Sequence, residues 1–171
     1  MRARAAARLR AGHLWVYRSD LASAPSLAPG ALVSVRDPRG NSLGTALYSS
    51  ASQIALRLIS TGPVTGKEAF HQLIRERIHA AAEYRRRVVE GSDAYRVVFS
   101  EADALPGLIV DRYNDVLCLQ ALTQAMDQAE VKQTVVAALQ EEFAPAGVVE
   151  RVEPRIRKLE QLPESKGGLL A

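Results

Sequence analysis

Residues 95–121 read YRVVFSEADALPGLIVDRYNDVLCLQA. Three runs in it, Arg96 to Phe99, Leu108 to Val110 and Val116 to Leu119, are short, apolar and rich in β-branched residues, as strands are. Asn114-Asp115 supplies a turn between the last two. Glu101, Asp103 and Asp111 crowd around Leu105-Pro106-Gly107. Carboxylates this close repel one another unless a cation, water or a partner's donors meet them. Pro106 fixes its own φ and Gly107 permits a positive one, so the loop is shaped. The residues leave two readings open: solvated acids in a hairpin loop, or acids that belong to a site.

Upstream, residues 67 to about 89 carry Phe70, Leu73, Ile74, Ile78, Ala81, Tyr84 and Val88 at three- and four-residue spacing, which predicts a helix. Arg85, Arg86 and Arg87 fall in its last turns, where cations favour the helix dipole. Ser60 to Gly66, STGPVTG, reads as a linker. Before it lie three short strands with turns between them: Leu32 to Val35, Leu43 to Tyr48 and Ile54 to Ile59. They predict a small barrel or sandwich. Gly44 inside the second marks a bulge or a close backbone approach. Downstream, a second helix is expected from about Asp127, which has capping-box spacing to Glu130. Val131, Val135, Leu139 and Phe143 form its stripe, and Pro145 and Gly147 end it. Gly147 to Val149 reads as a strand, and the tail from Val152 is weakly patterned.

The 171 residues suit one domain or two small ones, and 47% apolar content is ordinary for a globular protein. No apolar run approaches the ~20 residues of a membrane span, and the Arg-rich N-terminus lacks the apolar core of a signal peptide. A cytoplasmic protein with no membrane partner is expected. The single cysteine, Cys118, excludes an internal disulfide and reads as a small buried hydrophobe. His71 and His79 have no carboxylate spaced for a shared metal and read as ordinary histidines. The net charge of +3 is unevenly distributed: residues 1–66 hold eight Arg against two Asp, or +6, and residues 67–171 hold 14 basic against 17 acidic groups, or −3. A basic first module suits a polyanion. Within it, Arg8, Arg10, Arg18, Arg36 and Arg39 are candidate phosphate contacts, while His13 and Trp15 offer stacking surfaces for unpaired bases. Trp15 also suits the start of a core strand. No Gly-x-Gly-x-x-Gly follows a strand, and no Walker loop, Gly-x-Ser-x-Gly elbow or Cys/His cluster is present.

Longer patterns carry a resemblance. Arg10-Ala-Gly-His13-Leu-Trp15-Val-Tyr17 is similar to an Arg-x-Gly-His-Pro-Trp-Val-Phe opening. Pro29-Gly30 through Val33, Val35, Asp37, Gly40, Leu43, Gly44, Ala46 and Tyr48 resembles the core of a PUA domain, an RNA-binding pseudobarrel. Tyr95-Arg96 through Glu101, Asp103, Leu105-Pro106-Gly107, Val110-Asp111 and Tyr113 resembles a methyltransferase central-domain signature, and Val149-Glu150-Arg151, with Arg155 and Glu160, resembles its closing segment. Together they resemble the PUA-containing, S-adenosylmethionine-dependent rRNA (cytosine five-carbon) methyltransferases. Leu14 stands where that pattern has proline, Val152-Glu153 where Ser-Asp is common, and Gln161 where glycine is usual.

The resemblance implies an α+β chain: a PUA-like pseudobarrel over residues 1–62, a linker over 63–66, and a mixed α/β central domain over 67–171. It implies that the family's Rossmann methyltransferase domain, with the cofactor loop and catalytic cysteine, is absent. No catalytic, cofactor-binding or metal residue is then expected in the chain, which is not expected to be active alone. S-adenosylmethionine is the cofactor implied for the full-length family. Ribosomal RNA and a C-terminal Rossmann domain are the implied partners, and a homodimer is kept open. Glu101, Asp103, Pro106, Gly107, Asp111, Arg112, Tyr113 and Arg151 are the candidate cleft or interdomain residues. A stand-alone RNA-binding adaptor is the rival reading. A small-molecule binder has little support.

Overall fold

The computed structural model describes residues 1–23 and 26–171. The chain opens with a helix, α1 (Ala3–Arg10), whose Ala5, Ala6 and Leu9 are buried. The spacing of the arginines in residues 1–10 leaves a narrow apolar stripe on one helical face. Strands β1 (Trp15–Tyr17), β2 (Leu32–Arg36), β3 (Ser42–Tyr48) and β4 (Ile54–Ser60) follow. They form one antiparallel sheet in the order β1-β4-β3-β2. Gly44 sits at φ +124°, and a Cβ there would meet the Ser60 carbonyl oxygen at 2.1 Å, so the expected close approach is present.

Helix α2 (Gly66–Val88) leads to β5 (Ala94–Phe99), β6 (Leu108–Tyr113) and β7 (Val116–Ala121). These strands, all three expected from the sequence, pair antiparallel. Helix α3 (Ala129–Phe143) starts two residues beyond the expected cap, with Gln128 at the cap position. The Asp127 carboxylate is instead bonded to Arg157, at 3.0 and 3.1 Å. Strand β8 (Gly147–Glu150), helix α4 (Pro154–Glu160) and a two-residue strand, β9 (Gly168–Leu169), complete the chain. The weakly patterned tail therefore holds two elements. Too short to show a period, they are held by tertiary contacts such as the Arg157 bond to Asp127.

The expected arrangement of the second part needs correction. Its five strands form one sheet, β5-β6-β7-β8-β9, of mixed orientation. Strand β8 runs parallel to β7, and α3 makes the crossover. A parallel neighbour cannot be reached by a tight turn and needs a crossover of a dozen or more residues, usually a helix. This β-α-β unit is the element of a Rossmann-like sheet, so the expectation that a Rossmann-like fold is missing from the chain does not stand.

Two apolar clusters form the core. One joins α1 to the first sheet through Ala5, Leu9, Val16, Val35, Ala46, Tyr48, Leu56 and Leu58. The larger packs α2 and α3 on the second sheet and also takes in Leu47 and Ile59 of β3 and β4. The first sheet thus packs on both sides, and one core runs across the join. The linker is tied down as well, since the Val64 N–H donates to Thr45 Oγ1 at 3.0 Å. Among the described residues, no helix is long and apolar enough to cross a membrane.

Candidate nucleic-acid interface at the seam

The acidic Pro-Gly loop lies on this seam. Ser100 and Ala104 adopt positive φ (49° and 56°), which side chains other than glycine rarely tolerate. Gly107 is at φ +82°, and a Cβ there would meet Thr123 at 2.3 Å. The loop is held shut from within: the Gly107 N–H donates to Ser100 Oγ at 2.8 Å, and the Ser100 hydroxyl donates to Glu101. Arg77 of α2 closes it from outside, donating to the Ala104 carbonyl at 2.5 Å and to the Ile59 carbonyl. Burial of that guanidinium lowers its pKa from the usual arginine value.

The three carboxylates do not share one site. Asp103 accepts two bonds from Arg85, at 2.6 and 2.7 Å, and one from the Phe99 N–H at 2.6 Å. Asp111 accepts two from Arg96, at 2.7 and 3.0 Å, and these bonds raise the Arg96 pKa. Only Glu101 turns to the first sheet. Its Oε1 accepts from Trp15 Nε1 at 2.8 Å and lies 3.9 Å from Arg57 Nε. The mutual repulsion expected of these acids is met by a separate arginine for each.

Arg57 is the centre of the seam. Its Nη2 is 3.0 Å from Glu160 Oε1, and the two side chains are 11% and 4% exposed. Glu160 Oε2 accepts from Ser49 Oγ at 2.7 Å. Gln124 continues the network, accepting from the Ser50 N–H at 2.8 Å and donating to the Glu160 carbonyl at 2.8 Å. Nearly every polar atom is satisfied, so the join is rigid. A groove of about 270 Å³ opens over this network. Trp15, Ser52, Ile54 and Arg57 line it from the first sheet. Ser100, Glu101, Gly107, Leu122, Thr123, Ile156, Leu159 and Glu160 line it from the second part.

The groove brings together Trp15, Glu101 and Gly107, with Pro106 buried beside them. Asp103 is turned to Arg85 of α2, and Asp111 and Tyr113 lie on the sheet face opposite the helices. Arg112 is on the helix side, its guanidinium 5.8 Å from the Tyr95 ring centre and 5.7 Å from that of Phe143. Arg151 is exposed after β8, with its N–H on the Leu119 carbonyl. Cys118 is on the open face near Asp111; burial first, and then Asp111, pushes its thiol pKa up. Of the basic candidates, Arg8 pairs with Asp20 and Arg10 with Asp37. Arg18 donates to the Ser49 and Ser52 carbonyls, both at 2.9 Å, which makes it a clamp on the β3–β4 turn. Arg36 is exposed and bonds the Gly40 carbonyl; Arg39 is exposed on the same turn. His13 Nδ1 accepts from the Trp15 N–H at 3.2 Å. Sequence reasoning missed Arg57, Gln124 and Ser49. Arg57 carried a signal, a lone cation in the apolar run Ile54 to Ile59; Gln124 and Ser49 carried none.

In β-α-β proteins, ligands sit outside the carboxyl ends of the strands. Here that position is the turn 122–128 after β7. It has no glycine, and Thr123, Gln124, Ala125 and Met126 are buried. The turn offers no glycine-lined cradle, and its Leu122 and Thr123 face the seam groove.

Comparisons with known proteins agree with the basic first module. Residues 1–61 match the family model of a PUA-like domain. The chain is homologous to proteins named ribosomal RNA large subunit methyltransferase I. The protein of Vibrio cholerae serotype O1 is 34% identical over 166 residues, 94% of this chain and 40% of that protein. The protein of Pseudoalteromonas translucida is 32% identical over 167 residues, again 94% and 40%. The chain therefore spans about two fifths of the length of these relatives. A putative methyltransferase solved in complex with SAH has the same fold at a TM-score of 0.78 and 18% identity, over 99% of this chain and 41% of that one. A putative SAM-dependent methyltransferase from Streptococcus mutans matches at 0.73 and 19%, over 86% and 38%. The mixed sheet is thus part of a fold found in proteins described as methyltransferases. The expected separate C-terminal Rossmann domain as partner finds no support in these comparisons.

Proposed function

We propose that this chain is the rRNA-docking portion of an S-adenosylmethionine-dependent rRNA methyltransferase acting on cytosine. The homology over 94% of the chain to large-subunit rRNA methyltransferases carries this reading. The PUA-like match coincides with the basic residues 1–61, which supports the first module as the RNA-binding one. Its exposed arginines supply phosphate attraction that is salt-dependent and indifferent to sequence. The second part, 67–171, supports and orients the substrate and presents the seam groove. The cofactor serves the protein as a whole; residues 1–171 do not hold it by themselves, in keeping with the glycine-free turn after β7. Work on rRNA places the protein in the cytoplasm.

What these residues do is bind and orient. Positioning of this kind contributes to rate only where the reacting groups are also held. The test pairs two titrations of the 171-residue chain: fluorescence anisotropy with a labelled rRNA fragment across salt, and calorimetry with S-adenosylmethionine. Salt-sensitive RNA binding without cofactor heat is the expected result. Absence of RNA binding would overturn the docking role, and stoichiometric cofactor heat would show a site in residues assigned here to support.

A further inference from the structure

We propose that the seam groove is an anchor pocket for one unpaired RNA base that presents an exocyclic amine, and that it is separate from the reaction centre. The inference rests on the rRNA-docking reading and adds a specificity to it.

Four observations converge. First, the groove has apolar walls from both parts of the chain, Trp15 and Ile54 on one side and Ile156 and Leu159 on the other. Its volume of about 270 Å³ suits a single flat heterocycle rather than two. Second, Leu159 is 60% exposed at the lip although it belongs to a short helix packed on the seam. An exposed leucine alone needs no explanation. One beside a tryptophan and a fixed carboxylate forms a half-covered slot.

Third, the floor presents the Glu101 carboxylate beside the Arg57 guanidinium. The Glu101 carboxylate only accepts hydrogen bonds, and it has about four acceptor positions. Trp15 Nε1 and the Ser100 hydroxyl occupy two of them. The side chain remains 23% exposed, so acceptor capacity faces the groove. A base edge meeting it must donate. The exocyclic amines of cytosine, adenine and guanine do so, whereas the one ring N–H of uracil is flanked by two carbonyl oxygens that the carboxylate repels. Fourth, the floor is held before any ligand arrives: Arg57 is fixed by Glu160, and Glu101 by Trp15. Such preorganisation lowers the cost of binding. None of the lining residues is a cysteine, and Cys118 lies on the far face of the second sheet, so the groove holds a base without reacting with it.

The protein contains one tryptophan, so its emission reports this groove alone. The experiment titrates the chain with short oligocytidylate and oligouridylate, reading anisotropy of the labelled oligonucleotide and Trp15 emission together. We expect quenching with oligocytidylate and a preference of roughly tenfold over oligouridylate, the size of one hydrogen bond to a charged group. Glu101→Gln, which adds a donor, should bring that ratio close to one and leave the salt slope unchanged. Leu159→Ala, at an exposed position that leaves folding intact, should weaken oligocytidylate binding several-fold. Binding by anisotropy with constant Trp15 emission, or a preference that survives both substitutions, overturns the anchor pocket and leaves rRNA docking standing. Absence of oligonucleotide binding to the wild-type chain overturns both.

Discussion

Asp37 shows how far one turn can set the state of one side chain. It accepts from the Asn41 side chain and backbone, from the Arg39 N–H and from Arg10. These bonds, with Asn41's side chain first, outweigh burial and hold its pKa down to about 2. A depressed carboxylate stabilises the fold fully above its unfolded value of about 3.9. That stabilisation is lost as pH falls from there through about 2. The Asn41 amide shift, followed by NMR through acid, should therefore titrate near 2 rather than near 4. Asn41→Ala should raise that midpoint more than Arg10→Ala does. Gly107 is the second case: Gly107→Ala combines a positive φ with contact on Thr123. It should cost at least about 1–3 kcal/mol in urea denaturation.

At the scale of elements, the Arg85–Asp103 pair decides what an acid in the loop means. It ties the last turns of α2 to the turn after β5, and the two side chains are 12% and 10% exposed. Asp103→Ala leaves a nearly buried guanidinium unpaired, which should cost on the order of 3 kcal/mol. In a full-length relative, that loss should appear in thermal stability before it appears in methyl transfer per folded molecule. Transfer lost with the melting temperature intact would give the acid a role at the substrate. Two of the three arginines ending α2 likewise have separate partners. Arg85 holds Asp103, while Arg86 holds Glu83 and Glu142, whose hydrogen bonds raise its pKa. The helix dipole explains why cations are favoured there, but not which carboxylates they meet.

For the whole molecule, the question is whether two modules move or one body docks. The core shared by Leu47 and Ile59 with the second sheet, and the Arg57–Glu160–Ser49–Gln124 network, argue for one body. The chain should melt in a single transition by calorimetry. Glu160→Ala leaves Arg57 buried beside Glu101 alone; it should cost about 3–5 kcal/mol and split that transition in two. Rigid docking also separates the basic residues by role. Arg39→Ala should lower the salt slope of RNA binding by about one, as a phosphate contact does. Arg18→Ala should chiefly lower stability, because its guanidinium clamps the β3–β4 turn.

Periodicity alone determined the local elements. The strands around the acidic loop, strands β2 to β4, and helices α2 and α3 were legible because a half-buried strand or helix repeats its apolar residues at a fixed spacing. The charge asymmetry and the long motifs by themselves point to a polyanion. What the sequence could not show lies where partners are distant along the chain. Helix α4 is too short to display a period, the stripe of α1 is only three residues among arginines, and the parallel pairing of β8 with β7 depends on a crossover that no local pattern specifies. The site follows the same rule. Glu101, Asp103 and Asp111 look alike in sequence, yet only Glu101 meets Trp15, 86 residues away, and enters the groove. Which acid faces a ligand and which faces an arginine is set by three-dimensional proximity, because Coulomb and hydrogen-bond energies depend on distance in space rather than along the chain.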